Sequence, residues 1–497
     1  MLVAIRSLAR GRHTGRLLWI AGVLALDVLL LAFTESFGYA RPLFVFLFLA
    51  CSLAAILDLR VAVAILFLVS ALDGFIKGWL GGSTYSLLLK DYFLALALAC
   101  WLSGTPWRAR GSSWHDSIRV PMAVLAIWVL TQLFNPHASG RYQASLAGAR
   151  AWLIWLGVFF VVRDAMSTWR MARLLAIWLV GLGALCGAYG LLQHIYGVGF
   201  LGEASQASLD RAAMYGWTTE AGERVGRIYG TTVHPGVFGT FMGQAILLGI
   251  GAFIAWGRRW HRWIPVGCAV VAVIALLLSG SRTSMVAAVV GLLAMILANR
   301  NIRLPLLLAM VLVPGILLTG RLSEMAFQRG LDIWDRRTHT IERGWEPLQA
   351  GFLMALERPL GHGVDAGVGV PDVLVGRVAT SALAMENDYA RALVELGFPG
   401  LFIYGWLLWA CLRLGYRACL ETRGTPAFGL ALAFLGCVVM TEVALMTGAV
   451  LYLAPGAQVF WASVAGGAAL LRATEAQTEA SGKEAGPRGR SAARASA

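Results

Sequence analysis

Long apolar runs recur along almost the whole chain, separated by short polar links. A membrane span needs roughly 20 apolar residues, fewer where flanking side chains reach the interface. On that measure fourteen segments read as spans: 17–34, 42–57, 61–76, 86–103, 119–134, 151–163, 174–192, 236–256, 263–280, 284–298, 303–319, 396–414, 426–446 and 449–471. The runs at 42–57 and 151–163 are the shortest, and the last pair reads equally as a re-entrant hairpin. One stretch breaks the pattern. Residues 321–397 form the only long polar insertion. Within it Trp345, Leu348, Phe352, Ala355 and Leu356 follow helical spacing. This predicts an amphipathic helix over about 340–357, stopped by Pro359 and Gly361 and lying on the membrane surface or over a cavity.

Composition agrees. Of 497 residues, 58% are hydrophobic and 14% charged, with mean hydropathy +0.70. A soluble chain cannot bury that much apolar surface. The expected fold is an all-α polytopic membrane protein with about 12–14 transmembrane helices. It has one membrane domain, 1–472, a long extracytoplasmic loop, 320–395, containing the amphipathic helix, and a polar tail, 473–497, expected to be disordered. The seven cysteines form no CxxC pair and read as small core residues.

The net charge of +14 would suggest nucleic acid for a soluble protein. Here topology accounts for much of it, and no nucleic-acid partner is expected. With the N-terminus in the cytoplasm, every inside loop is basic. Arg108, Arg110 and Arg119 share one such loop, Arg163, Arg170 and Arg173 another, and Arg413, Arg417 and Arg423 a third. The tail with Arg472 and Lys483 also falls inside, so both termini are expected in the cytoplasm.

The outer segments 135–150, 193–235, the turn at 279–282 and the loop 320–395 should be poor in cations. They nevertheless carry Arg150, Arg224, Arg227, Arg282, Arg337, Arg343 and others. A basic solvated surface is the plain explanation. The sharper one is anion recognition, because the guanidinium fork grips phosphate oxygens and keeps its charge. Arg282 is the strongest case, since it lies between two apolar runs, where a charge is costly unless paired or working. Arg336, Arg337 and Arg343 precede or open the predicted helix, where cations oppose its dipole.

His234 precedes Pro235 and is either a ligand or base, or only a turn residue. Glu386 and Asp388 are scarce acids among these arginines. Each could act as a general base or orient a hydroxyl, or simply neutralise the cluster. Asn387 and Tyr389 share that segment. No Asp-x-Asp motif and no His/acid cluster at metal spacing occurs in the sequence, and no nucleotide-binding motif. No metal or cofactor is therefore expected.

Four segments together resemble a known family. They are Gly-Arg-x-x-Gly-Thr-x-x-His-Pro at 226–235, Ser-Gly-Ser-Arg-Thr-Ser at 279–284, Arg-Pro-Leu-Gly-His-Gly at 358–363, and Glu-Asn-Asp-Tyr-Ala-Arg-Ala-Leu-Val-Glu-Leu-Gly-Phe-Pro-Gly-Leu at 386–401. In that order the chain resembles the O-antigen ligase and O-antigen polymerase superfamily over roughly 135–410.

The resemblance implies a membrane glycosyltransferase of the bacterial inner membrane with its active face in the periplasm. It would transfer a glycan from undecaprenyl diphosphate to a sugar hydroxyl, with inversion and without metal. Membrane lipids surround it, and a chain-length regulator and a flippase are the protein partners it would admit. The family's Ser-Arg turn maps onto Arg282, implied to hold the diphosphate. The outer-loop arginine maps onto Arg343, with Arg337 as the second choice. Ligase members usually have His-Asn where this chain has Glu386-Asn387, which favours a polymerase with Glu386 as base. The alternatives are a ligase acting on lipid A-core and a non-enzymatic flippase or exporter of lipid-linked glycan.

Overall fold

The computed structural model describes residues 41–79, 84–104, 117–137, 142–166, 168–197, 217–218, 224–225, 227–255, 261, 263–299, 337–364, 387–448 and 450–484. The expected spans at 17–34 and 303–319 lie outside them. The protein is an all-α polytopic membrane protein.

The N-terminal half of the described chain comprises α1 (Arg41–Leu57), α2 (Leu59–Ala71), α3 (Asp73–Trp79), α4 (Thr84–Gly104), α5 (Arg119–Thr131), α6 (Tyr142–Leu153), α7 (Leu156–Ala165) and α8 (Trp169–Tyr196). A two-residue antiparallel pair follows, β1 (Trp217–Thr218) with β2 (Arg224–Val225). Then come α9 (Pro235–Ala255), α10 (Trp263–Leu278), α11 (Arg282–Asn299), α12 (Arg337–Glu357), α13 (Asp388–Glu421), α14 (Phe428–Ala444) and α15 (Gly456–Glu484). Among the described residues, five segments are long and apolar enough to cross a membrane: Tyr142–Ala165, α8, α9, α11 and α13. Shorter apolar helices include α2, α10 and α14.

Several boundaries differ from the sequence reading. The short run at 151–163 is the second part of a longer span, Tyr142–Ala165, bent between α6 and α7. The last pair is two separate helices, α14 and α15, joined by the segment 445–455. Helix α15 runs to Glu484, past the boundary at 472 drawn from composition. Its Ala, Glu and Gln residues extend a helix that packing has already nucleated.

Helix α9 forms the centre and packs against α8, α10, α11 and α14. Small residues allow these close approaches, as membrane helices require. A Cβ on Gly251 would meet Gly429 O at 2.5 Å, and one on Gly291 would meet Gly436 O at 2.8 Å. The outward residues Leu185, Leu297, Phe402 and Trp409 are exposed apolar side chains, as expected of a surface facing acyl chains.

Helix α13 is broken. Gly397 has φ +70 and ψ −169, and Pro399 follows, so the carbonyls ahead of the break lose their helical partners. Other groups replace them. His362 N donates to Val394 O (2.8 Å), Gly363 N to Glu395 O (3.2 Å), and Trp128 Nε1 to Leu396 O (2.9 Å). Backbone at membrane depth must be satisfied internally, and the Pro-Leu-Gly-His-Gly turn supplies this. Gly361 and Gly397 interlock, because a Cβ on Gly397 would sit 2.5 Å from Gly361 N. The first half of α13 is thereby fixed at one end of the bundle.

Helix α12 forms where periodicity predicts, beginning three residues earlier. Gly351 meets Ala390, and Leu348 and Met354 pack against Ala390 and Val394 of the first half of α13, while Trp345, Phe352 and Leu356 stay exposed.

Candidate active site

Two of the sequence motifs pack directly on each other. A Cβ on Gly239 would meet Ser281 Cβ at 2.8 Å and Ser284 Oγ at 3.0 Å, so the start of α9 lies against the turn that opens α11. Ser284 Oγ lies 3.2 Å from Gly236 O and 2.8 Å from Ser281 Oγ, and Thr240 Oγ1 lies 3.2 Å from Ser284 Oγ. Arg227 Nε donates to Ser279 O at 2.8 Å, fastening the 227–234 segment to the same turn. Gly280, at φ +59, makes the reversal between α10 and α11.

Arg282 is the first residue of α11 and is half-buried. Its Nε is buried with no hydrogen-bond partner among the described residues. A cation at a helix N-terminus gains nothing from the dipole, so its position is explained better by an anion than by helix stability. His234 Nδ1 accepts from Gly236 N at 2.9 Å, which leaves the ring proton of the neutral form on Nε2. Burial first, then the charge of Arg227, pushes its pKa down to about 4.

This shift has a measurable consequence. Between about pH 6.5 and 4 the unfolded chain binds a proton at His234 that the folded chain refuses. Stability is therefore full above pH 6.5 and declines as pH falls toward 4. The loss is on the order of 2 kcal/mol after allowance for partial exposure. Unfolding temperatures of wild type and His234→Gln, compared from pH 7 to 4.5, should converge at the acid end.

The motif at 386–401 reaches this turn through a segment that the sequence did not single out. Thr447 Oγ1 donates to Thr283 Oγ1 at 2.6 Å. On its other side the same segment holds the start of α13. Asn387 Nδ2 donates to Met446 O (2.7 Å), Asp388 N to Leu445 O (3.0 Å), and Leu451 N to Asp388 Oδ2 (3.3 Å). Asn387 also caps α13, its Oδ1 accepting from Tyr389 N and Ala390 N. Tyr389 OH donates to Glu442 O at 3.2 Å.

Behind Asp388 lies a buried charge cluster. Arg391 and Glu395 are 2% and 0% exposed and pair at 3.1 Å. The Arg391 guanidinium lies between Trp152, 4.5 Å from the ring centre, and Tyr452, at 5.0 Å. Trp152 Nε1 also donates to Glu395 Oε2 at 2.5 Å. Asp388, Arg391, Trp152, Tyr404 and Leu451 line a small cavity beside it.

The contacts then close into a circuit. Trp152 shares α6 with Arg150, which is ion-paired to Asp91. The neighbouring Lys90 bonds Asp73 at 3.0 Å, as Lys77 does at 2.6 Å. The backbone of α3 returns to the first motif, Gly74 N donating to Thr231 O at 2.8 Å. The structure thus gathers Arg227, His234, Arg282, Asn387, Asp388 and Tyr389 at one end of the bundle. Arg150 joins that end but is neutralised by Asp91. Arg224 lies in β2 and Arg337 and Arg343 in α12, while their side chains, and Glu386 entirely, lie outside the described residues.

Residues 267–405 match the family described as O-antigen ligase. That match supports the O-antigen ligase and polymerase superfamily for this chain. It takes in three of the four motifs, at 279–284, 358–363 and 386–401, with the one at 226–235 upstream. It supports O-antigen ligase- or polymerase-type function in general. No curated protein matches the chain. Among solved structures, one similar chain comes from work on structural coordination of polymerization and crosslinking by a peptidoglycan synthase complex. It has 17% identity and a TM-score of 0.35, covering 72% of this chain and 97% of that one.

Proposed function

We propose that the chain is a polysaccharide polymerase. It transfers a glycan from undecaprenyl diphosphate to an acceptor sugar hydroxyl, on the extracytoplasmic face of the bacterial inner membrane. The observation that carries this reading is the guanidinium of Arg282 at the N-terminus of α11, its buried Nε without a hydrogen-bond partner among the described residues. Backbone N–H groups there add partial positive charge, so a diphosphate meets both a fork and a dipole. Arg227 lies beside the same turn, and neutral His234 can donate from Nε2 to a phosphate oxygen.

Stabilising the departing diphosphate lowers the barrier to breaking the glycosidic bond. Glu386 takes the acceptor proton as the new bond forms. The next residue, Asn387, is held by the cap it makes on α13 and by Met446 O. Arg337 and Arg343, both carried by α12, are assigned to the diphosphate as well. No step requires nucleotide, because the diphosphate linkage is already activated. Glu386-Asn387 in place of His-Asn favours polymerase over ligase.

Product analysis of the purified chain with a lipid-linked repeat tests the reading. A ladder of lengthening lipid-linked products is expected, and Glu386→Gln should abolish it. A single transfer to lipid A-core would establish the ligase reading instead, and strict dependence on added metal would contradict the scheme.

A further inference from the structure

The break in α13 at Gly397 has a cavity lying across it. Asp388 and Arg391 line it from the first half of the helix, Tyr404 and Leu407 from the second. Helices α5, α6, α7 and α15, with Leu451, close the other sides with aliphatic and aromatic side chains. The cavity measures about 20 Å³. A single water needs roughly 10–15 Å³, so the space takes one water or one group of that size.

Two donors on its walls are left over. Arg391 spends Nε on Glu395 at 3.1 Å, and its guanidinium is fixed between the Trp152 and Tyr452 rings. Its Nη2 is buried with no hydrogen-bond partner among the described residues. The Tyr404 hydroxyl is buried in the same condition. Its ring is held edge-on to Trp152, 5.4 Å between centres, and 6.0 Å from the Tyr389 ring. Both residues are 2% exposed, as is Asp388. Asp388 Oδ2 accepts from Leu451 N at 3.3 Å, and a carboxylate can accept more than that. Asp388, Arg391 and Tyr404 are electrostatic neighbours of one another.

A buried donor without an acceptor is costly, and native interiors contain few. Two such donors beside one carboxylate call for a group that accepts twice and donates at least once. A cation would meet the Arg391 guanidinium, and an anion would meet Asp388. A neutral O–H group suits all three walls.

We propose that this cavity is a binding site for a single water, which accepts from Arg391 Nη2 and the Tyr404 hydroxyl and donates to Asp388. Backbone hydrogen bonds do not run across the break, and inserted waters are a usual companion of such breaks. The water joins the two halves of α13 through side chains instead. It thereby fixes the half that carries Asn387 and Asp388 to the half that crosses the membrane. The site stands whether or not the chain polymerises glycans.

Tyr404→Phe tests this by the sign of its effect, since it removes one oxygen and keeps the ring. If the hydroxyl bonds a water, the variant loses that bond and its unfolding temperature falls by roughly 1–2 °C. If the hydroxyl is bare, removing a buried unsatisfied group leaves the protein equally or more stable. A cryo-electron microscopy map of the full chain without added glycan, sharp enough to show ordered solvent, gives the direct readout. Without glycan, density in the cavity is water rather than an acceptor hydroxyl. One peak within hydrogen-bond reach of Arg391 Nη2 and the Tyr404 hydroxyl is expected, and it should weaken or vanish in Tyr404→Phe. No peak there in the wild-type map, or an unfolding temperature unchanged or raised in Tyr404→Phe, would overturn the proposal.

Discussion

Replacing Arg282 with Ala is expected to lower glycan transfer by about 10²–10³-fold, the usual effect of removing one preorganised charge donor. The chain should still fold. Arg282 makes no ion pair among the described residues, and its Nε has no partner to lose. The serine and threonine contacts that join α9 to α11 do not pass through its side chain. Charge on the diphosphate grows as the glycosidic bond breaks, so kcat should fall more than KM rises. Arg282→Lys should recover part of the rate, because it restores charge without the fork. Unchanged turnover in Arg282→Ala, measured with purified protein and lipid-linked glycan, would remove the proposed role.

Arg391→Ala should act through stability and cost about 3–5 kcal/mol, the range for stripping one partner from a buried ion pair. Glu395, with no exposed surface, would keep Trp152 Nε1 and lose its cation, while Asp388 would lose the charge nearest to it. The loss should propagate. The first half of α13 carries Asn387 and Asp388, and these hold the 445–451 segment that reaches Thr283. The double replacement Arg391→Met with Glu395→Leu should be milder than Arg391→Ala alone, since it leaves no unpaired buried charge at the pair. Unfolding temperatures of the three variants check this ordering, and a silent Arg391→Ala would refute it.

Hydropathy made most of the membrane helices legible, because a 20-residue apolar requirement dominates local sequence. It failed at the break in α13. The run from Leu396 was read as the start of a span, which left Arg391 and Glu395 in an outer loop. Their spacing of four residues, flanked by Ala390, Ala392, Leu393 and Val394, was the available signal of a buried helical pair. Trp152 gave no such signal, since its bond to Glu395 joins residues 243 apart in the chain. The 445–451 segment is likewise silent in sequence. Thr447 matters only because folding brings it to Thr283. Arg150 read as a diphosphate ligand because its partner, Asp91, follows Lys90 in another helix.

The motifs themselves were legible as polar interruptions of apolar sequence, and their meeting was not. That depends on glycines whose role is close approach. Gly239 admits the serines of the α11 turn, Gly74 admits the backbone of Thr231 and Thr232, and Gly148 admits Val364. Each contact joins residues far apart in the chain.

A cryo-electron microscopy map of the chain with undecaprenyl diphosphate bound tests the central claim most directly. The account predicts phosphate density within hydrogen-bond reach of Arg282, against the first turn of α11, with the polyprenyl chain leaving between helices. Density for the diphosphate anywhere that leaves the Arg282 guanidinium without contact would contradict it.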